Sequence, residues 1–367
     1  MLFSCDEYNS DIFVDRPATL AKIRSWADAE EVDKRVIPVV APPGGGKTWM
    51  LERLKPEWNN SGTRFVTQMN VPDLVHQGET RDRNQMIRRE GFEKWFRQVQ
   101  QEAAGYFSIP PISETPDISA ILSAFVRLVC DSNPNTAPII IVDGYDELSD
   151  LQAEVFSSRI LQPLLEKECI RMIIAHRPER SIRGDAVRRN LQDPPLFLHE
   201  LDPLSPDFAM QQFHKLFQNV NPGLAMPDPK VWMDQITHYQ WNHPLANCFL
   251  FNRGMAGGWQ DLSSQDFYEC CKIVIERPGK NGNNRFPPLS TDESKTQHRV
   301  ANELPDHWSQ TELETLLGIN NFILDPTVTK LFQLGLINSV PSVPVLYQIC
   351  DGLRELLREI NITQITS

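Results

Sequence analysis

The sequence of 367 residues has no apolar run approaching the roughly 20 residues that a bilayer crossing needs, and its first residues lack the basic-then-apolar order of a signal peptide. We therefore predict a cytoplasmic protein without membrane contact. Basic residues are also in short supply, since 36 Lys and Arg stand against 48 Asp and Glu, a formal net charge of −12. This acidic excess disfavours nucleic acids and anionic membranes as partners, because both attract basic surfaces.

Cysteines with the spacing of a metal site or a redox motif are absent as well. The seven cysteines are scattered and form no CxxC, so we predict reduced thiols. Adjacent Cys270 and Cys271 are interpreted as small apolar residues of a helix, with a redox pair as the alternative. No period of about 20 to 50 residues recurs, which argues against a repeat solenoid. With 41% hydrophobic residues, the chain has globular composition and the length of two or three domains.

Glycine is scarce, with 18 residues in the chain, yet three of them follow one another in the stretch APPGGGKT (41–48). The stretch follows VIPVV, a short β-branched run that predicts a buried strand, and leads into KTWMLERLK, whose apolar residues recur at helical spacing. Glycines lack a Cβ, so the backbone can turn its N–H groups inward on a phosphate at the start of that helix. The residues predicted to surround the phosphate are Pro43, Gly44, Gly45 and Gly46.

The two residues after the glycines complete this prediction. The spacing is close to GxxxxGK[ST], in which the lysine reaches the β- and γ-phosphates of a nucleotide and the hydroxyl ligates Mg²⁺. Lys47 and Thr48 take these places, whereas Ala41 replaces the first glycine. The competing interpretation is that the glycines form only a flexible turn.

A second strand signal, PIIIVDGYDEL (138–148), ends in a group of acidic residues. Carboxylates at the carboxyl end of a central parallel strand lie where open α/β sheets bind ligands. We predict that Asp143 holds Mg²⁺ and that Asp146 and Glu147 orient or deprotonate an attacking water. The alternative is that the acidic turn only caps the next helix, with Asp150 as the cap.

A third strand signal, RMIIAHRPE (171–179), also ends in charged residues. In sheets of this kind the strand usually lies between the other two, so that its carboxyl end faces the γ-phosphate. Arg177 is then predicted to bind the γ-phosphate, because its planar fork of donors matches phosphate oxygens. A surface arginine ahead of Pro178 is the competing interpretation, and His176 is expected to be structural.

Together these motifs resemble the STAND ATPases, the class of signalling switches that contains the NACHT and AP-ATPase families. The stretch IFVDRPATLAKIRSWAD (12–28) is similar to the entry segment of that class. DGYDEL is close to the NACHT form of the Walker B box, in which a small residue follows the metal-binding aspartate. Since the family's entry segment lies against adenine and ribose, the resemblance implies nucleotide contacts for Phe13, Val14 and Arg16.

Two further boxes follow in family order. WNHPLANCFLF (241–251) resembles the GxP box of the family's small helical domain, which implies that Pro244 packs on the adenine. Ile349-Cys350-Asp351 stands where the family has Met-His-Asp, whose histidine contacts the β-phosphate of ADP. Cys350 is a weaker hydrogen-bonding group, so either the ADP-bound state is held less firmly or another residue substitutes.

The C-terminal part is predicted to be a winged helix, with Ser309 capping one helix, Pro326 starting the next and a β-wing in INSVPSVPVLYQI. The helix that would enter a DNA groove has one basic residue, Lys330, which favours a regulatory packing surface over DNA binding. We predict an α/β fold with a P-loop NTPase parallel sheet of ASCE/AAA+-like type, followed by a helical and a winged-helix domain. The predicted bounds are 1–203 for the nucleotide domain, 204–275 for the helical domain, 276–294 for a linker and 295–367 for the winged helix.

The segment 71–106 combines five arginines with the aromatic residues Phe92, Trp95 and Phe96. Basic residues beside aromatics can bind single-stranded nucleic acid. The preferred interpretation is a helix whose apolar face packs on the sheet.

The resemblance implies a nucleotide-dependent switch, in which ATP or ADP with Mg²⁺ is held between the domains. ADP would favour a closed form, ATP an open form that self-associates, and slow hydrolysis would reset the switch. Family members add effector and sensor domains, which we expect here as separate proteins acting in trans in a signalling or antiviral defence pathway. Two alternatives stay open: an AAA+-like DNA-binding regulator or remodelling ATPase, and a non-hydrolysing scaffold with a degenerate site.

Overall fold

A computed structural model describes most of the chain. The described residues are 10–11, 13–14, 16–41, 45–61, 64–76, 82–83, 85–103, 117–131, 137–177, 182–193, 195–197, 206–220, 223, 244–258, 262–276, 289–321, 325–333, 336–340, 344–349 and 353–359. All structural statements below concern these residues.

The centre of the N-terminal part is a five-stranded sheet whose paired strands are all parallel, in the order β2-β3-β4-β1-β5. Its strands are β1 (Val36–Val40), β2 (Val66–Asn70), β3 (Ile139–Asp143), β4 (Arg171–His176) and β5 (Leu196–Phe197). The three strands predicted from the sequence are all present. The third of them, β4, lies between β1 and β3 as predicted, so the carboxyl ends of these three strands meet at one edge.

Helices cover both faces of this sheet, because alternate residues of a strand point to opposite sides. In β4, Ile173 and Ala175 pack with α1 and α2, whereas Met172 and Ile174 pack with α4 to α7. The helices are α1 (Pro17–Asp28), α2 (Lys47–Ser61), α3 (Val71–Leu74), α4 (Arg89–Ala103), α5 (Ile118–Val126), α6 (Asp150–Phe156), α7 (Gln162–Leu165) and α8 (Asp185–Asn190). π-Helical turns Arg127–Asp131 and Ser157–Leu161 extend α5 and join α6 to α7.

Helix α4 decides between the two interpretations of the arginine-rich segment. Its aromatic residues Phe92, Trp95 and Phe96 are buried in the core beneath the sheet, and the Trp95 ring lies 5.0 Å from that of Phe125 in α5. Aromatic side chains buried in this way offer no stacking surface to a nucleic acid base. The preferred prediction, a helix packed through an apolar face, is confirmed.

The C-terminal half is built from helices and one hairpin. Three helices form the helical part, α9 (Pro206–Val220), α10 (Pro244–Gly257) and α11 (Ser264–Glu276). The remaining elements are α12 (Thr291–Glu303), α13 (Gln310–Leu317), α14 (Pro326–Gln333), the antiparallel strands β6 (Ile337–Val340) and β7 (Leu346–Ile349), and α15 (Leu353–Glu359).

This last group of elements has the predicted winged-helix arrangement. Ser309 caps α13 through a capping box with Glu312, and Pro326 begins α14, as the sequence indicates. Trp308 forms an isolated antiparallel bridge with β7, because its N–H donates to the Tyr347 carbonyl at 2.9 Å and its carbonyl accepts from the Tyr347 N–H at 2.7 Å. The two rings stack with their centroids 5.4 Å apart.

The helical part and the winged helix share one hydrophobic core. Its buried residues run from Ala209 in α9 to Leu357 in α15 without separating into two clusters. Helix α12 begins at Thr291, inside the segment predicted as a linker, because Ser290 and Glu293 form a capping box there. The division into two C-terminal domains stays a prediction, and the packing indicates a single body.

The expectation of reduced thiols throughout is wrong for one pair. Cys130 and Cys169 form a disulfide between Cα atoms 6.1 Å apart, although 39 residues separate them in the sequence. They meet because the π-helical turn before β3 and the turn before β4 lie at the same edge of the sheet. Buried Cys248 and Cys270 are free thiols, and burial raises the pKa of Cys270 to about 12, which fits the prediction of a small apolar residue.

Among the described helices, none combines the length and the apolar character that crossing a membrane requires.

Candidate nucleotide-binding site

The glycine-rich stretch forms the connection between β1 and α2 at the carboxyl edge of the sheet. Lys47 is the first residue of α2, and Gly46 immediately before it has a φ of +87°, an angle that favours glycine. The Gly46 carbonyl accepts from the Met50 N–H at 3.0 Å, which fixes this glycine at the start of the helix. The predicted strand, loop and helix are therefore in place, while Pro43 and Gly44 lie outside the described residues.

Lys47 lies across this connection. Its Nζ donates to the Ala41 carbonyl at 2.7 Å, which spans the glycine-rich loop. Ala41, at the place of the first glycine of the motif, is 1% exposed and belongs to the core between the sheet and α2. Its methyl group is accommodated by packing, so the departure from the motif leaves the loop's ends in position.

Thr48, in the first turn of α2, lies beside Asp143, the last residue of β3. The Thr48 Oγ1 donates to the Asp143 Oδ1 at 3.2 Å, and the Asp143 side chain is buried. A hydroxyl and a carboxylate are the hard oxygen ligands that Mg²⁺ prefers, and Mg²⁺ needs few protein ligands when phosphates supply others. The two predicted metal ligands therefore fit that ion.

The small residue after Asp143 has a steric reason. Gly144 has a φ of +76°, and a Cβ on it would lie 2.8 Å from the Pro72 Cδ. Pro72 is the second residue of α3, the short helix after β2, so any side chain at Gly144 would collide with it. The glycine lets the chain turn directly into a 3₁₀ turn, Tyr145–Glu147, that carries both predicted catalytic carboxylates.

Asp146 forms an ion pair with Arg177. The Asp146 Oδ2 lies 2.7 Å from the Arg177 Nε, and both side chains are largely buried. Burial by itself raises the pKa of this carboxyl. The positive charges of Lys47 and then Arg177, with smaller contributions from a backbone hydrogen bond and a neighbouring imidazole, outweigh burial and lower the pKa of Asp146. At neutral pH the carboxyl is therefore ionised and held against the guanidinium.

Glu147 follows on the same turn and is half-buried. Its N–H donates to the Gly144 carbonyl at 3.0 Å, which closes the turn. The alternative role of the acidic cluster as a helix cap belongs to another residue, since Ser149 caps α6 in a capping box with Gln152, and Asp150 is the first helical residue. His176 is buried at the end of β4, and its Nδ1 lies 2.8 Å from the Arg177 carbonyl.

The entry segment reaches the phosphate loop through Arg16. Its Nη2 donates to the Gly45 carbonyl at 3.0 Å, and this nitrogen lies 3.7 Å from the position that a Cβ on Gly46 would take. Phe13 is buried, and its backbone carbonyl accepts a hydrogen bond from the Lys215 Nζ in α9. Val14, between them, is half-buried.

Pro244 approaches the same part of the loop as Arg16. It is the first residue of α10, and its Cγ lies 4.0 Å from the position that a Cβ on Gly46 would take. Buried Gln212 in α9 fixes the position of Pro244, since its Nε2 donates to the Pro244 carbonyl at 2.9 Å and its Oε1 accepts from Asn247 at 3.2 Å. Cys350, the remaining predicted contact, lies outside the described residues.

Several residues of this region escaped the sequence analysis. Trp49, directly after the motif, packs against the core between the sheet and helices α1 and α2, and also against the C-terminal core. Lys215 and Gln212 hold the entry segment and Pro244, and Tyr145 anchors the 3₁₀ turn from within. Only Trp49 gave a signal, as a large aromatic residue beside a phosphate motif.

No family model matches the sequence, and no curated protein matches it. A Walker-type ATPase of Pyrococcus abyssi has a similar structure, with a TM-score of 0.58 at 14% identity over 98% of this chain and 100% of that one. This chain is less similar to Cdc6p of Pyrobaculum aerophilum, with a TM-score of 0.43 at 13% identity over 99% of this chain and 96% of that one. It is also less similar to a RuvB variant of Thermotoga maritima, with a TM-score of 0.43 at 11% identity over 97% of this chain and 99% of that one. The chain thus has the fold of a P-loop ATPase over nearly its whole length.

Proposed function

We propose that this protein is a nucleotide-dependent molecular switch of the STAND type. In this proposal it binds ATP or ADP with Mg²⁺, hydrolyses ATP slowly, and couples the bound nucleotide to the placement of its C-terminal body and to partner activation. The observation that carries the proposal is the convergence of two distant chain segments, represented by Arg16 and Pro244, on the phosphate loop at Gly45 and Gly46.

The chemistry of the loop supports nucleotide binding. Lys47 brings a cation to the start of α2, where the helix dipole also favours an anion. Mg²⁺ between Thr48 and Asp143 would neutralise part of the phosphate charge. Lys47 now donates to the Ala41 carbonyl, a neutral acceptor that phosphate oxygens can replace with a gain in charge–charge attraction.

The ion pair between Asp146 and Arg177 supports slow hydrolysis. For Arg177 to bind a γ-phosphate, its guanidinium must share or leave a carboxylate 2.7 Å away. Asp146 or Glu147 would then be available to orient or deprotonate the attacking water. Because a buried ion pair has to rearrange first, we expect turnover near the roughly 10⁻⁴ to 10⁻² s⁻¹ of unstimulated P-loop NTPases.

Contacts between the nucleotide domain and the C-terminal body support a coupling of the bound nucleotide to the arrangement of the two parts. Pro244 and Lys215 belong to helices of the C-terminal core, yet they contact the phosphate loop region and the entry segment, respectively. Trp49 extends from the first turn of α2 into that same core. A change in the loop's ligand would act directly on these contacts, and a ligand that favours one arrangement shifts the population toward it.

Hydrogen exchange in the presence of ADP·Mg²⁺ tests the coupling. We expect the nucleotide to slow exchange in the first turn of α2 and, in addition, in α9 and α10. Pro244→Ala should keep the first effect and lose most of the second, while Pro326→Ala, a matched change at the start of α14, should alter neither. Protection confined to the nucleotide domain in the unmodified protein would refute a switch and leave a simple nucleotide-binding protein.

Self-association and partners in trans follow from the proposed class. An open, ATP-bound form would expose part of the surface that now packs against the phosphate loop region. Light scattering of the purified protein with ADP·Mg²⁺ and with a non-hydrolysable ATP analogue measures this directly. A larger particle only with the ATP analogue is the expected result, and an unchanged mass with both nucleotides would contradict self-association.

DNA binding is the weaker alternative. Lys330, the basic residue of α14, has its Nζ 2.6 Å from the Glu293 Oε2, and both side chains are largely buried. A lysine engaged in this way contributes little attraction to DNA phosphates. Salt-sensitive binding of duplex DNA by the full chain would overturn this preference.

A further inference from the structure

Tyr145 lies between Gly144 and Asp146, the latter a predicted catalytic residue, and its ring points into the protein. The side chain is 1% exposed and packs in the core beneath the sheet. A buried tyrosine hydroxyl normally has hydrogen-bond partners. Here the partners come from two distant segments.

The first partner is Ser157 of the π-helical turn after α6. The Tyr145 hydroxyl lies 2.9 Å from the Ser157 Oγ, and Ser157 is fully buried. π-Helical turns often occur at functional positions, where the extra residue redirects a side chain. In this turn the redirected group meets the residue next to a predicted catalytic carboxylate.

The second partner is the backbone of Arg183, whose N–H donates to the Tyr145 hydroxyl oxygen at 3.0 Å. Since the phenol oxygen accepts this hydrogen bond, its own proton is free to go to Ser157. Gly184 brings the segment close, because its φ is +91° and a Cβ on it would lie 3.0 Å from the Ser157 Cβ. The segment 182–184 follows β4 and Arg177 along the chain.

The hydroxyl of Tyr145 therefore ties together the two chain segments that carry the ion pair. Asp146 is the next residue on one side, and Arg177, directly after β4, precedes residues 182–184 of the other segment in the chain. The distance between the carboxylate and the guanidinium depends on how these two segments sit relative to each other. A phenylalanine would fill the same space and leave both partners without the hydroxyl.

We propose that Tyr145 is a positioning residue, whose hydroxyl sets the placement of Asp146 against Arg177 and hence the rate of ATP hydrolysis. This inference rests on the proposed ATPase function. A residue that acts only through stability would lower the folded fraction and leave the rate of each folded molecule unchanged. A positioning residue changes that rate and its pH dependence while nucleotide binding is retained.

The test compares Tyr145→Phe and Ser157→Ala with the unmodified protein and with Tyr268→Phe, a matched loss of a hydroxyl from a buried tyrosine of the other core. ADP and ATP affinities with Mg²⁺ are measured by calorimetry, and hydrolysis is followed in a single turnover from about pH 3 to 9, a range that includes the acid limb expected for Asp146. We expect an ADP affinity within about twofold of the original in all variants and a single-turnover rate about 10- to 100-fold lower in Tyr145→Phe. The acid limb of its pH profile should move to higher pH, since Arg177 would stabilise the Asp146 carboxylate less well. Ser157→Ala should show a smaller loss, and Tyr268→Phe none.

The outcomes separate the two claims. Unchanged rate and pH profile in Tyr145→Phe, with an active unmodified protein, would overturn the positioning role alone. If the unmodified protein binds no nucleotide, the proposed function fails and the inference falls with it. If it binds ATP without hydrolysing it, the hydrolysis part of the proposed function fails, and the positioning role fails with it, because that role concerns the rate of hydrolysis.

Discussion

The two edges of the central sheet both hold buried charge, but they hold it in different ways. At the amino edge, arginines donate to backbone carbonyls: Arg171 binds those of Trp26, Ala27 and Ala29 at 2.5 to 2.7 Å, and Arg64 binds that of Ala137 at 2.7 Å. At the carboxyl edge, Lys47 and Arg16 also donate to carbonyls of the loop. This edge differs because side chains there pair with other side chains as well, in Thr48–Asp143 and Arg177–Asp146.

The difference separates stability from function. Carbonyls of a fixed backbone cannot move away, so the arginines of the amino edge hold the ends of α1 and the strand connections in place. Paired side chains can exchange one partner for a ligand, which makes the carboxyl edge suited to binding and chemistry. Substitutions at the amino edge should therefore change unfolding, and those at the carboxyl edge should change nucleotide binding or turnover.

Arg171→Leu should have the largest effect on stability. Three carbonyls at the end of α1 would lose a charged donor in a buried position, which we expect to lower the free energy of unfolding by about 4 kcal/mol. Urea unfolding monitored by circular dichroism measures it, with Arg171→Lys expected to fall between the two proteins. The ADP dissociation constant should stay the same, and weaker ADP binding at equal folded fraction would break the comparison between the edges.

Removing the disulfide should lower stability somewhat less. Opening a cross-link between residues 39 apart restores entropy to the unfolded chain, worth about 3 kcal/mol. Unfolding of the oxidised protein with and without reductant tests this, and the double variant Cys130→Ser with Cys169→Ser should no longer respond to reductant. Equal stability of the oxidised and reduced proteins would show that the bond does not hold the amino edge together.

Asp146→Asn should lower the free energy of unfolding although the residue lies at the carboxyl edge, so it limits the comparison between the two edges. Loss of the charge would leave Arg177 without its ion pair, at about 2 kcal/mol given that the guanidinium is 19% exposed. The pKa of Asp146 is lowered in the folded state, so its contribution is complete above the unfolded value of about 3.9 and is lost as pH falls through the folded value.

Urea unfolding of both proteins from pH 2 to 8 measures this contribution. The difference between them should be constant from pH 5 to 8 and shrink below about pH 4. A difference that grows at acid pH would contradict the assigned direction of the shift.

Thr48→Val should have the smallest effect and the most specific one. The isosteric side chain lacks the oxygen that faces Asp143, so ADP binding with Mg²⁺ should weaken about tenfold, whereas binding in EDTA should not change. Thr67→Val on β2 is the matched control, since its buried hydroxyl has no hydrogen-bond partner among the described residues. An equal loss with and without the metal would argue against Thr48 as a metal ligand.

The sequence predicted the parts of the site that depend on neighbours along the chain. Gly46, Lys47 and Thr48 follow one another, so a local pattern of glycines, strand and helix was enough to place them. Asp143 and Arg177 were placed by a general property of parallel sheets, in which strand ends meet at one edge.

Contacts between distant segments could not be predicted. The pairing of Arg177 with Asp146, the approach of Pro72 to Gly144 and the disulfide all depend on which strands are adjacent. Even the helix cap was misplaced by one residue, because Asp and Ser are both good caps and the choice of Ser149 depended on a reciprocal bond.

Calorimetric titration of ADP·Mg²⁺ into the full chain, freed of bound nucleotide, and into Lys47→Ala tests the central claim most directly. The account predicts one site per chain in the original protein and an affinity at least about 100-fold lower in the variant, because the half-buried cation expected to bind the phosphates is lost. No binding to the original protein, or equal binding to both, would contradict the nucleotide site on which every later step depends.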